Sequence, residues 1–207
     1  MKEIFTGNKD FRKSSFLNWR TSSDAEIENI LVLADGFLRS SIELAKMCLQ
    51  DNHDNRADII IFPILTNANH GIELYLKSMI FICNKLLGSD EKIEEKHHNI
   101  QQLLNSVKGK INKYNKPGYL KEFNKLTFGL KKYIDELFLK IKATPQKDNM
   151  DFSRYPFDID FSEYFYINDF QNIEIDLENL VDRFENIATS LEELTNFYYF
   201  GELIQEY

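Results

Sequence analysis

Apolar residues recur at steps of three and four through most of the chain, which is the spacing of one face of an α-helix. The first such series runs from Ile27 to Leu49, in a helix predicted to end at about Gln50, and follows the sequence Ser-Asp-Ala-Glu at 23–26, which has the spacing of a capping box. The second covers residues 58–87, includes Pro63, and is the most apolar of all. We therefore predict two long helices, of which the second lies at the centre of the fold.

Three further apolar series follow. A short helix is predicted to begin after His98 and to end before Lys116-Pro117-Gly118, because proline and glycine interrupt helices. Another is predicted over residues 120–141, and the last begins after Asp176, a residue suited to the N-cap position. Short connections between amphipathic helices indicate an all-α fold, an antiparallel up-and-down bundle of about five helices.

Two segments lack the helical period. Residues 1–22 are predicted to be an N-terminal arm, and residues 143–175 to be an aromatic-rich, non-helical insertion before the last helix. Alternation in Tyr164–Ile167 and Ile173–Ile175 favours a short β-hairpin within that insertion. The whole chain, 1–207, is interpreted as one domain.

Composition narrows the possible functions. The formal net charge of −8 argues against attraction to nucleic acid or to anionic membranes through overall charge. No apolar run approaches the ~20 residues that span a bilayer, and no signal peptide is evident, so we expect a cytoplasmic protein that does not enter the membrane. Two cysteines without a CxxC pair, and no glycine-rich phosphate loop, lead us to predict neither a metal nor a cofactor.

Three fragments carry a resemblance to a known family. Asn69–Lys77 reads NHGIELYLK, His98–Leu104 reads HNIQQLL, and Phe152–Pro156, with Asp158 close behind, reads FSRYP. Together they resemble the HEPN superfamily of bacterial and archaeal helical domains, and the main similarity covers residues 24–142. The resemblance implies a helical bundle that pairs into a homodimer, in a prokaryotic anti-phage defence or toxin-antitoxin system.

Many HEPN proteins are ribonucleases with an Arg-x4-6-His motif. No arginine of this chain has a histidine at that distance downstream, and the arginines are Arg12, Arg20, Arg39, Arg56, Arg154 and Arg183. The standard nuclease chemistry therefore has no position here to which it can be transferred.

The second predicted helix carries a polar stripe. Thr66, His70, Glu73 and Lys77 are separated by four, three and four residues, so they lie on one face of the helix. One interpretation is a solvated face with a favourable Glu73–Lys77 pair. The other is a cleft or dimer seam in which His70 transfers protons and Glu73 and Lys77 contact a phosphate-bearing ligand.

Two other positions join the candidate site. His98 either caps or packs at its helix start, or takes part in catalysis together with His70 and Lys77. Arg154 is predicted to pair with Asp158 or Asp160 and close the aromatic loop, or to bind phosphate beside Tyr155, because its planar guanidinium fits that group. The spacing of Asp158 and Asp160 is only a weak indication of a Mg²⁺ site.

Three functions follow as hypotheses. The first is a HEPN-like dimeric binding or regulatory protein with RNA or a nucleotide as ligand. The second is a divergent ribonuclease with a composite active site. The third is a non-catalytic scaffold that docks a partner protein through the aromatic segment 152–170.

Overall fold

The computed structural model describes residues 1–17, 20–90, 98–144, 147–168 and 173–206. Within these ranges it contains helices and no strand, with one isolated bridge between Phe157 and Glu163, so the predicted all-α class is confirmed. The helices are α1 (Glu26–Gln50), α2 (Ala57–Leu86), α3 (Ile100–Tyr114), α4 (Tyr119–Leu126), α5 (Phe128–Lys140), α6 (Phe165–Asn168) and α7 (Leu177–Asn196).

Helices α1 and α2 form the central pair of the bundle. Their contacts run in opposite directions along the two sequences, since Asn67 bonds to Ser40 while Tyr75 reaches Asp35, so the helices are antiparallel. Gly71 lies at their closest approach, where a Cβ atom would come within 2.7 Å of the Leu38 backbone nitrogen. The missing side chain therefore allows the two backbones to touch.

Helix α7 packs against α1 and also contacts α2. Lys46 pairs with Glu185 at 2.9 Å and Arg39 with Glu192 at 3.2 Å, so α1 and α7 are also antiparallel. Apolar side chains from α1–α5, α7 and the 150–165 region join one buried cluster, in which α2 contributes fully buried residues along most of its length. The central position of α2 in the bundle therefore agrees with the apolar composition of that helix.

The predicted N-cap of the last helix is confirmed, because the Asp176 carboxylate accepts a hydrogen bond from the Asn179 amide. The helix then continues as a π-helix over Phe197–Leu203. There Glu202 accepts hydrogen bonds from Tyr114 at 2.9 Å and Tyr119 at 2.6 Å. These bonds fasten the C-terminal end of the bundle to the α3–α4 connection.

The fourth predicted helix is two helices. Thr127 separates α4 from α5, and its hydroxyl donates to the Phe123 backbone oxygen at 2.7 Å. Such a bond competes with the backbone hydrogen bonds of a continuous helix. The apolar period continues across the break through Phe123 and Leu130, which are both buried, so the pattern alone did not reveal it.

The predictions of a capping box before α1 and of a β-hairpin in the insertion were wrong. Helix α1 begins at Glu26 with no side-chain cap, and Asn29 bonds instead to the backbone N–H and carbonyl of Ser22. In the insertion, Phe165–Asn168 is a helical turn and residues 173–176 are irregular, so the proposed strands are not formed. Residues 169–172, the turn of that hairpin, lie outside the described residues.

The N-terminal arm, described for residues 1–17, has a single 3-10 turn at Phe11–Lys13. Across the described ranges, no helix combines the length and apolar character required to cross a membrane.

Candidate functional site

A cleft of about 190 Å³ opens between α1, α2 and the 150–154 segment, with His98 at one end. Five of the residues singled out from the sequence, which are separated by up to 88 positions, meet in it: Thr66, His70, Glu73, His98 and Arg154. The remaining lining residues are Phe37, Asn67, Asn69, Met150 and Ser153.

Glu73 is the buried centre of the cleft. Its carboxylate accepts a hydrogen bond from Lys77 Nζ at 2.8 Å, and its Oε1 atom lies 3.0 Å from His98 Nδ1. His70 Nδ1 lies 3.8 Å from the other carboxylate oxygen. The Glu73–Lys77 pair predicted from the sequence is therefore present, but it is buried and shared with two imidazoles instead of lying on a solvated face.

The charge state of Glu73 follows from these neighbours. Burial raises the pKa of its carboxyl, but His70, Lys77 and His98 more than offset this effect, so the pKa falls to about 2. Glu73 is thus ionised at neutral pH and can only accept hydrogen bonds. His98 must then donate through Nδ1–H, and in the neutral imidazole the lone pair remains on Nε2.

The helix start beside the cleft explains how His98 reaches Glu73. Asn99, not His98, is the N-cap of α3, and its side chain accepts a hydrogen bond from the Gln102 amide at 3.0 Å. His98 therefore precedes the helix and its imidazole turns toward α2, with 53% of the side chain exposed. The prediction that His98 caps α3 was therefore wrong, and the imidazole contacts Glu73 instead.

His70 stands on the rim, where 42% of its side chain is exposed. Its ring meets the ring of Phe37 edge-on, with centroids 4.4 Å apart. An apolar, half-buried aromatic face from α1 thus borders the polar stripe of α2.

The 150–154 segment is fastened over the cleft by two side chains. The Thr66 hydroxyl donates to Ser153 Oγ at 2.9 Å, and the Tyr166 hydroxyl lies 2.9 Å from the backbone oxygens of both Phe152 and Tyr155. These contacts hold Arg154 at the rim.

The ion pairs predicted for Arg154 were wrong. Arg154 pairs with Asp151, whereas Asp158 pairs with Lys147 and accepts hydrogen bonds from the amides of the turn that follows it. Because Asp158 already has these partners, its spacing with Asp160 reflects a closed turn.

Tyr155 does not line the cleft. It belongs to an outward loop that exposes Ile159 and Phe161 almost fully, and Phe157 stacks on Phe161 with ring centroids 5.2 Å apart. The predicted aromatic docking segment 152–170 is therefore partly core, through Phe152, and partly solvent-facing. Its residues 169 and 170 lie outside the described residues.

Sequence reasoning missed Asn69, Phe37 and Met150. Asn69 is 5% exposed, and its Oδ1 accepts a hydrogen bond from Tyr133 at 2.8 Å while its Nδ2 has no hydrogen-bond partner. An asparagine within the most apolar helix was a usable signal, because a buried amide is costly unless it is bonded. Phe37 and Met150 gave no signal beyond their apolar character.

The cleft has one guanidinium and two imidazoles at its rim, and the buried Asn69 is among its lining residues. Guanidinium and imidazole groups bind anionic oxygens, and an imidazole held by a carboxylate can accept a proton. Over the described ranges, no group of three or more His, Cys, Asp or Glu residues is arranged to hold a metal ion.

None of three comparisons, with protein-family models, with curated proteins and with solved structures, finds a match for this chain.

Proposed function

We propose that this chain is a binding or regulatory protein whose cleft binds a phosphate-bearing ligand, a nucleotide or RNA. The observation that carries the proposal is that Arg154 lines the same cleft as His70 and His98, the two imidazoles that lie against the buried Glu73 carboxylate. Arg154 shares its charge with Asp151, but a guanidinium has five N–H donors, so several remain for a ligand.

The charge of Glu73 supports the same ligand class. Lys77 lies 2.8 Å from it and compensates its negative charge, so the carboxylate does not repel an incoming anion at full strength. Glu73 instead keeps the Nδ1 side of His98 occupied. Arg154 and the two imidazoles at the rim are then the first groups that a phosphate meets.

Isothermal titration calorimetry tests the proposal, with nucleoside monophosphates and short RNA oligonucleotides as ligands. We expect Arg154→Ala to weaken binding by about tenfold or more, which corresponds to ~1.4 kcal/mol or more. Arg12→Ala is the matched control, because Arg12 also pairs with a neighbouring aspartate, Asp10, but lies in the N-terminal turn. Absence of binding, or equal loss in both variants, would contradict the proposal.

The biological setting is proposed from the HEPN resemblance alone. It comprises a cytoplasmic homodimer that acts in prokaryotic anti-phage defence or a toxin-antitoxin system. Mass measurement by light scattering at micromolar concentration tests the dimer, and a monomer at that concentration would contradict it.

A divergent ribonuclease is the second candidate, and the Glu73–His98 pair is the observation that favours it. In such a reaction the 2′-oxygen of RNA attacks the adjacent phosphorus and its proton passes to His98 Nε2. The bond to the 5′-oxygen breaks, His70 supplies that oxygen with a proton, and a 2′,3′-cyclic phosphate remains.

Cleavage of labelled RNA tests this candidate. We expect His98→Ala to lower the rate by about a hundredfold or more, since general acid–base catalysis contributes ~10²–10⁴. His53→Ala, in the exposed α1–α2 loop, should cleave as the wild type does. If wild-type protein does not cleave RNA, or if both variants cleave equally, the enzyme hypothesis fails.

A further inference from the structure

We propose that the turn at residues 157–161 is a docking surface for a second protein, and that the partner segment it fits is both apolar and basic. The inference concerns a surface outside the cleft and does not depend on the proposed function. It narrows the docking segment 152–170, which was predicted from the sequence, to the apolar tip, by which we mean Phe157, Ile159 and Phe161.

The apolar tip presents large hydrophobic side chains to solvent. Phe157, Ile159 and Phe161 are 41%, 92% and 79% exposed. The rings of Phe157 and Phe161 stack with centroids 5.2 Å apart and an interplanar angle of 26°. Isolated exposed apolar residues are ordinary, whereas a group of them within one turn indicates an interaction surface.

Hydrogen bonds hold the backbone of this turn in one conformation. The Asp158 carboxylate accepts bonds from the amides of Asp160 and Ser162, at 2.8 and 3.0 Å. The Phe161 amide donates to the Asp158 backbone oxygen at 3.0 Å, and Lys147 pairs with the Asp158 carboxylate. Because the turn is fixed before any contact is made, a partner that binds it loses little free energy to ordering.

Phe161 has a backbone conformation that disfavours its own side chain. Its φ is 57°, in the left-handed region, where a bulky residue is strained and glycine is not. Burial in the core of the chain does not offset this strain, because the side chain is mostly exposed. Strained residues of this kind cluster at binding sites. A second molecule that covers the ring supplies the offset.

The charges around the apolar tip indicate the chemistry of the partner. Residues 147–163 contain five carboxylates and two cations: Asp148, Asp151, Asp158, Asp160 and Glu163, with Lys147 and Arg154. Both cations already pair with carboxylates of the same segment. Asp160, between Ile159 and Phe161, is 76% exposed, and Glu163 is also exposed. These carboxylates attract basic groups beside the exposed rings.

The same charges disfavour the other occupants of an exposed apolar turn. RNA and anionic membranes carry phosphates, which carboxylates repel, and the whole chain has a net charge of −8. A tip-to-tip contact between two copies of the chain would bring like charges together. A protein segment with basic and apolar side chains satisfies both the rings and the carboxylates.

Selection from a phage-displayed library of random peptides tests the surface and the partner class together. The bait is immobilised full-length wild-type protein, and phage that bind Phe161→Gly protein are removed first. We expect the enriched peptides to combine a net positive charge with large apolar residues. Enrichment of neutral or acidic peptides, or no enrichment over a surface without bait, would overturn the inference.

The affinity of the most enriched peptide, measured by fluorescence polarisation, tests the named residues. Phe161→Gly should weaken binding by about tenfold or more, because an anchor ring is lost. Its Tm should be no more than about 2 °C below that of wild type, since glycine relieves the strain. Asp160→Asn combined with Glu163→Gln should weaken binding by about threefold or more, and added salt should also weaken it. Phe128→Ala is the control, because Phe128 is a 60% exposed ring on α5, and it should bind as wild type does.

Equal affinity of wild type and Phe161→Gly would refute the role of the apolar tip. If circular dichroism shows that Phe161→Gly is unfolded, Ile159→Ser replaces it, with the same loss expected. Phosphatidylserine vesicles and single-stranded RNA are tested against the same proteins. Binding of either one to wild type that the tip variant abolishes would contradict the proposed partner class. A wild-type dimer that the tip variant converts to a monomer would contradict it as well, because the occupant would then be a second copy.

Discussion

Glu73 gives the sharpest prediction, because its carboxylate is 9% exposed and is shared by three cationic or imidazole side chains. Replacement with glutamine keeps the shape and removes the charge, leaving Lys77 without its partner. Lys77 is itself only 15% exposed. We expect Glu73→Gln to lower the free energy of unfolding at neutral pH by about 2–3 kcal/mol, since breaking a buried ion pair typically costs ~3–5 kcal/mol and the two imidazoles here are half-exposed and screened.

The pH dependence separates this charge effect from a packing effect. The pKa of Glu73 in the folded protein is about 2, below its ordinary 4.5. A lowered pKa contributes stability above pH 4.5, and that contribution is lost as pH falls through the folded pKa. With ~1.36 kcal/mol per pH unit, the two values correspond to roughly 3.4 kcal/mol in full, of which about 2 kcal/mol is gone at pH 3.

Because water screens the imidazoles, we expect the stability advantage of wild type over Glu73→Gln to shrink by about 1–2 kcal/mol between pH 6 and pH 3. Urea unfolding followed by circular dichroism at both pH values gives this difference directly. Asp158 and Glu202, whose pKa values are also lowered, are present in both proteins and cancel. An advantage that is the same at pH 6 and pH 3 would refute the ionised, charge-stabilised Glu73.

Three further predictions concern packing and backbone. Gly71→Ala should destabilise the protein by about 1–3 kcal/mol in thermal or urea unfolding, since the added Cβ would collide with the α1 backbone. Gly36→Ala is the control: open space surrounds Gly36, so this variant should be neutral or should stabilise the protein by up to ~1 kcal/mol. Lys142→Gly should stabilise the protein by about 0.5–1 kcal/mol in the same assay, because Lys142, just after the end of α5, has a left-handed backbone with φ 51°. Lys142→Ala should give no such gain. Thr66→Val should cost about 1 kcal/mol of stability through loss of the bond to Ser153, and should weaken nucleotide binding by loosening Arg154; unchanged affinity would contradict the fastening of the rim.

The helices were predictable because their apolar faces repeat with the helical period. The period did not predict the helix break at Thr127. The break occurs there without proline or glycine, and both flanking helices keep the same buried face. The pattern also failed in the insertion, because the alternation at Tyr164–Ile167 arises in a helical turn whose aromatic rings pack on Phe152 and Phe62. In both places tertiary contacts, which a local pattern does not contain, determine the backbone.

The candidate site was predictable only within one helix. The stripe of Thr66, His70 and Glu73 follows from helical geometry, and the cleft uses all three. The approach of His98 and Arg154 depends on the path of two connections, so no spacing rule supplies it. The partner of Arg154 was misassigned because a 3-10 turn brings Asp151, and not the later aspartates, next to it.

NMR on isotopically labelled protein tests the central claim, that the cleft is a ligand site, most directly. Adenosine or uridine monophosphate would be added while the side-chain signals of His70, His98 and Asn69 and the backbone signals of residues 150–154 are followed. These signals should shift in a saturable way, whereas those around Glu202, at the α3–α4 connection, should stay in place. Shifts confined to other surfaces, or no shifts at millimolar nucleotide, would contradict the assignment of this cleft.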